Sequence, residues 1–168
     1  GEERNIVTAV AGTTRDTIHT RYNKFGHDFL LIDTAGMRKK AKVHEDLEFY
    51  SVLRTIKAIE DSDVCLLMLD AQDGMEAQDL SILSLIERNR KGVAIIVNKW
   101  DLVEKDTKTA LQFEERIRER IAPFKDIPII FISVTDKQRI MKAVDVAMMV
   151  YANKKKHIPT RELNDFVA

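Results

Sequence analysis

Three polar side chains interrupt an apolar run in IIVNKWD, where Asn98, Lys99 and Asp101 follow Ile95, Ile96 and Val97. Asn98 offers a donor and an acceptor, and Asp101 can accept two parallel N–H bonds from a planar edge such as guanine N1–H and N2–H. Adenine presents no such pair of donors, so a carboxylate here selects guanine by leaving the wrong base unpaired. The stem of Lys99 can lie against a flat ring while its ammonium stays solvated. A loop that only solubilises a strand end would use similar residues, so the other segments must be weighed with this one.

LLIDTAG places Asp33 at a strand tip and Gly36 three residues on. A carboxylate there can hold Mg²⁺ directly or through water, and a glycine lets its N–H approach a phosphate oxygen. An ordinary strand-to-loop turn explains this segment equally well. IIFISVT ends on Ser133 and Val134, whose hydroxyl and backbone could touch a base from the far side. AGTTRD, residues 11–16, carries two hydroxyls, and a Thr hydroxyl can be a Mg²⁺ ligand; a polar turn is the plain alternative.

These groups need elements to position them. The runs at 28–33, 63–70, 92–98 and 127–133 have strand length, and the last three lack polar alternation, as strands buried on both faces do. Amphipathic helical patterns fall at about 45–60, 76–90, 107–121 and 137–154, with Leu80, Leu83 and Ile86 forming one stripe. The alternation predicts an α/β fold with a helix-covered, mostly parallel sheet. Residues 17–23 are expected to pair antiparallel with 28–33 through a turn near Lys24 to Gly26. In such sheets ligands bind beyond the carboxyl ends of the strands, where all these polar endings would gather.

Composition agrees with one ordinary domain: 168 residues, 45% hydrophobic, with 27 basic and 27 acidic side chains. Zero net charge gives no global attraction to nucleic acid or anionic membranes, so such a partner needs a local patch. The single Cys65 lies in an apolar run, and no apolar stretch approaches the length of a bilayer span, which predicts a cytoplasmic protein without membrane association. His19, His27, His44 and His157 lack metal-ligand spacing.

Taken in order, AGTTRD, DTAG, NKWD and the serine ending resemble a translation-factor-type P-loop GTPase. GEERNIVTAVAGTTRDTI, DTAGMRKKAKVHEDLEFYSVLRTIKAIEDSDV and ISVTDKQRI resemble more narrowly the second GTPase domain of the Der (EngA) family of bacterial ribosome-assembly GTPases. The resemblance implies a three-layer α/β/α sheet with one antiparallel edge strand, GTP hydrolysis, and action in assembly of the large ribosomal subunit through rRNA. It implies that Thr14, with Thr13 as substitute, and Asp33 serve Mg²⁺, and that Gly36 meets the γ-phosphate within the nucleotide-binding segment Asp33, Thr34, Ala35, Gly36 and Met37. Asn98, Lys99, Trp100 and Asp101 would hold GTP or GDP by its guanine, supported by Ser133 and Val134. Met37 stands where many small GTPases carry a water-orienting glutamine, and the family pattern implies that a K⁺ ion near AGTTRD assists instead. Val134 stands where the family usually has alanine.

The six glycines, at 1, 12, 26, 36, 74 and 92, form no G-x-x-x-x-G-K-[ST] phosphate cradle. The expectation is therefore an N-terminally incomplete GTPase domain over 1–154, with the cradle and a further GTPase domain upstream. Residues 155–168 are expected to be a linker and the start of a KH-like domain. Alone, these residues are expected to be inactive; a pseudo-GTPase or scaffold, or a relative acting in tRNA modification or on the small subunit, are the alternatives. The basic run from Arg38 to Lys42 is either a solvated loop or a nucleotide-dependent contact with rRNA.

Overall fold

The computed structural model describes residues 19–24, 26–32, 45–104 and 108–167. It divides after Ser62 into two compact units.

The first unit contains a hairpin and a helix. Strands β1 (His19–Lys24) and β2 (His27–Ile32) pair antiparallel with Lys24 opposite His27. A loop this short needs a residue with positive φ, and Gly26 supplies it at φ 78° with open space around its Cα. Tyr22 and Phe29, directly opposite, stack with centroids 4.9 Å apart. Diagonally across the same pair, the Arg21 guanidinium donates to both Asp28 oxygens at 2.9 and 2.7 Å. Helix α1 (Glu45–Asp61) buries Thr55, Ala58 and Ile59, the spacing of one helical face.

The second unit is built on a parallel sheet in the order β3 (Val64–Asp70), β4 (Gly92–Asn98), β5 (Ile129–Phe131). Thus the antiparallel pair and the parallel strands form two sheets, of two and three strands. Strand β4 is central, and its Ala94, Ile95, Ile96 and Val97 are all fully buried, which explains the unbroken apolar run. Alternate residues serve opposite faces. Leu67, Leu69, Ile95, Val97 and Phe131 pack with Leu83 of α2 (Ala77–Arg88) and Ile117 of α3 (Thr109–Arg120). Ile96, Ile130 and Ile132 pack with Ala143 and Val146 of α4 (Ile140–Lys155).

Two sequence expectations change. Strand β3 is buried on one face only: it lies at the edge of the three-stranded sheet, and Leu66 and Met68 are 39% and 49% exposed. Strand β5 is shorter than the run 127–133 because Pro128 has no N–H to donate; its carbonyl still accepts the Ile95 N–H at 2.8 Å. After a short connection the tail forms helix α5 (Thr160–Val167), with Phe166 90% exposed.

Local signals fix the joints. Helix α2 begins with a reciprocal cap in which the Glu76 N–H donates to Asp79 Oδ2 at 2.7 Å. It ends where the Lys91 N–H reaches the Ile86 carbonyl, and Arg90 takes a left-handed conformation. Gly92 then starts β4 in a place where a Cβ would stand 2.7 Å from Val150 Cγ1. Arg118 of α3 binds Glu114 and donates to the Lys125 carbonyl at 2.6 Å, fastening the helix to the chain that leads into β5.

Candidate nucleotide-base site

In-register parallel pairing sets Asp70 beside Asn98, so β3 and β4 present their polar ends together. The Asn98 carbonyl accepts the Ala71 N–H at 2.9 Å. Its side-chain oxygen accepts the Val134 N–H at 3.2 Å, so the amide ties the end of β4 to the loop after β5. That loop is closed on itself. Ser133 and Gln138 exchange backbone bonds, and the buried Ser133 hydroxyl accepts the Asp136 N–H at 3.0 Å.

Lys99 has φ 61° and ψ 31°, a left-handed conformation that few non-glycine residues take. Its ammonium lies 2.7 Å from Asp70 Oδ2. Asp70 is 4% exposed, and its other oxygen accepts the Gln72 N–H at 3.0 Å. After Lys99 the chain makes one 3-10 turn, Trp100–Leu102, pinned by the Trp100 N–H on the Ile132 carbonyl at 3.1 Å. The indole of Trp100, which the sequence grouped with the nucleotide contacts, is partly buried and packs against the core. It lies 4.3 Å from the Phe131 ring and 5.5 Å, edge to face, from Phe113. It anchors the turn that presents Asp101. Asp101 Oδ1 is buried and, among the described residues, has no hydrogen-bond partner.

Asn98, Lys99, Asp101, Ser133 and Val134 are therefore gathered at the carboxyl edge of the parallel sheet. Val134 is held there by its backbone N–H on Asn98 Oδ1, and its side chain is exposed. The sequence reading missed Asp70 as a member of this edge; the signal was present, because VCLLMLD ends on a carboxylate as LLID does. Thr13, Thr14, Asp33, Thr34, Ala35, Gly36, Met37 and the run from Arg38 to Lys42 lie outside the described residues.

A parallel α/β sheet carrying Asn, Lys and Asp at one strand end and Ser at the next defines the class of P-loop-type GTPase domains. The chain belongs to the 50S ribosome-binding GTPase family, whose model matches residues 1–99. It is 61% identical over 166 residues to the GTPase Der of Bacteroides thetaiotaomicron, covering 98% of this chain and 38% of that protein. With the GTPase Der of Flavobacterium johnsoniae it shares 54% identity over 167 residues, again 38% of the relative. The chain thus spans less than half the length of these curated relatives.

Among solved structures, Era in complex with MgGDPNP and nucleotides 1506–1542 of 16S ribosomal RNA matches with TM-score 0.68 and 25% identity, over 83% of this chain and 46% of that one. An Era variant from Aquifex aeolicus bound to GDP and tetrafluoroaluminate matches with TM-score 0.68 and 23% identity, over 86% and 48%, and supports the fold.

Proposed function

We propose that this chain recognises guanine nucleotides within a GTPase that hydrolyses GTP during assembly of the large ribosomal subunit. The observation that carries the base-binding part is the buried, unpartnered Oδ1 of Asp101. An unsatisfied buried acceptor costs about 1–3 kcal/mol, more when charged, and guanine N1–H and N2–H are the donors that relieve it. The neighbouring groups are held ready by Asn98 on Val134 and by Trp100 in the core. Family membership and the names of the relatives support hydrolysis.

The phosphate end of the site falls to residues outside the described segments. Thr14 and Asp33 would hold Mg²⁺, since a hydroxyl and a carboxylate are the hard oxygen donors this ion takes. Bound there, Mg²⁺ would neutralise charge on the β- and γ-phosphates. Gly36 would offer its N–H to the γ-phosphate, with Thr34, Ala35 and Met37 lining the same loop, and K⁺ near residues 11–16 would add positive charge. The proposed setting is cytoplasmic, with an upstream GTPase domain, a downstream KH-like domain beginning near α5, and rRNA of the large subunit as partner.

Competition binding on the full-length protein tests the reading. Labelled GDP should be displaced by GDP and GTP but not by ADP, and GTP hydrolysis should need Mg²⁺ and run faster in K⁺ than in Na⁺. Equal displacement by ADP would overturn the guanine assignment, and failure to co-sediment with large subunits in GTP would overturn the ribosomal one.

A further inference from the structure

The Lys99–Asp70 pair reaches beyond the base contacts themselves. Lysine has four rotatable side-chain bonds, and a lysine asked to lie along a base must lose that freedom on binding unless it is lost beforehand. Here both ends of the stem are fixed. The left-handed backbone of Lys99 is enforced by the bonds of its neighbours, Ala71 N–H to the Asn98 carbonyl and Trp100 N–H to the Ile132 carbonyl. The ammonium is fixed by Asp70 Oδ2 at 2.7 Å. Asp70 is itself immobile, buried at the end of β3 with its second oxygen on the Gln72 N–H. A buried carboxylate is costly without a cation, so each partner holds the other in place. The Lys99 side chain remains 47% exposed, leaving its stem available to a ligand.

We propose that Asp70 is a positioning residue for guanine-nucleotide binding, acting through Lys99. This rests on the guanine reading of the site. Asp70 touches no nucleotide; it turns a flexible side chain into a preformed platform, which lowers the ordering cost of binding.

The test is a mutant cycle in the full-length protein, reading labelled-GDP affinity and the melting temperature without nucleotide. Asp70→Asn keeps the shape and removes the charge, and should weaken GDP binding about tenfold. Lys99→Met should weaken it by a similar factor, and adding Asp70→Asn to Lys99→Met should change affinity no further. A merely structural Asp70 would lower affinity equally in both backgrounds, which overturns the proposal, as does Asp70→Asn binding within twofold of the parent. If Asp70→Asn fails to fold, the Lys99 Nζ resonance of the unsubstituted protein decides. Slow exchange of its protons without nucleotide supports the pair, and fast, solvent-like exchange overturns it. Asp101→Asn is the separate control: if it leaves GDP affinity intact, the guanine reading itself fails, whatever Asp70 does.

Discussion

Asn98 Oδ1 accepts the Val134 N–H at 3.2 Å, joining two strand ends that lie 36 positions apart in the chain. The same residue's backbone carbonyl takes the Ala71 N–H, so one asparagine links the ends of all three parallel strands. Asn98→Ala should therefore free the loop after β5 as well as remove a polar group. The expected cost is about 1–2 kcal/mol in denaturant unfolding. GDP affinity in the full-length protein should fall at least tenfold, and unchanged affinity would refute the shared role.

Asp101→Asn exchanges an acceptor for a donor beside the base. Guanine would then face an N–H₂ group where it needs an oxygen, whereas the xanthine 2-carbonyl would accept from it. Competition with GDP and XDP should show preference moving toward XDP by at least tenfold, with little change in melting temperature.

Trp100 separates a packing role from a ligand role. Its ring is 4.3 Å from Phe131 and stands edge to face on Phe113, so Trp100→Ala should cost about 3–5 kcal/mol by leaving a cavity. Trp100→Phe should recover most of that stability while GDP affinity stays within about twofold. A large affinity loss in a well-folded Phe variant would show direct contact with nucleotide.

Gly92 is required by close approach. Gly92→Ala would set a Cβ 2.7 Å from Val150 Cγ1 and 3.1 Å from Val64 Cγ2, and β-branched side chains have few rotamers in which to yield. Destabilisation of about 1–3 kcal/mol is expected. Val150→Ala in the same molecule should restore part of it, which chemical denaturation of the single and double variants would measure.

The hairpin should respond to acid. The bidentate bond from Arg21 holds the Asp28 carboxyl below its usual range, and the paired guanidinium is correspondingly raised. A depressed carboxylate contributes stability above its unfolded value, and that contribution is lost as pH falls through the folded value. Both groups are exposed, so the effect is local. An NMR titration of Asp28 should show a midpoint below that of an ordinary aspartate, and Arg21→Ala should return it to the ordinary value.

Much of this was legible from local pattern. The central strand was readable because Ala94 to Val97 is buried on both sides and so carries no polar alternation. The NKWD ending was readable because three donors and acceptors suited to guanine, Asn98, Lys99 and Asp101, sit within four positions, and the helical stripe of Leu80, Leu83 and Ile86 because it repeats at the helical period. The edge exposure of Leu66 and Met68 was not readable, since it depends on which strand has a neighbour, and neither was the packing of Trp100 against Phe113 and Phe131, since an indole serves a core or a base equally well.

The sequence by itself determined the α/β alternation and the polar residue types at the strand ends, because hydrophobic periodicity and side-chain chemistry are local properties. Only the tertiary structure decided that Asp70 belongs with Lys99. Their partnership comes from parallel register between β3 and β4, which sets Asp70 level with Asn98, and from a left-handed turn that carries the next residue's ammonium to within 2.7 Å of a buried carboxylate.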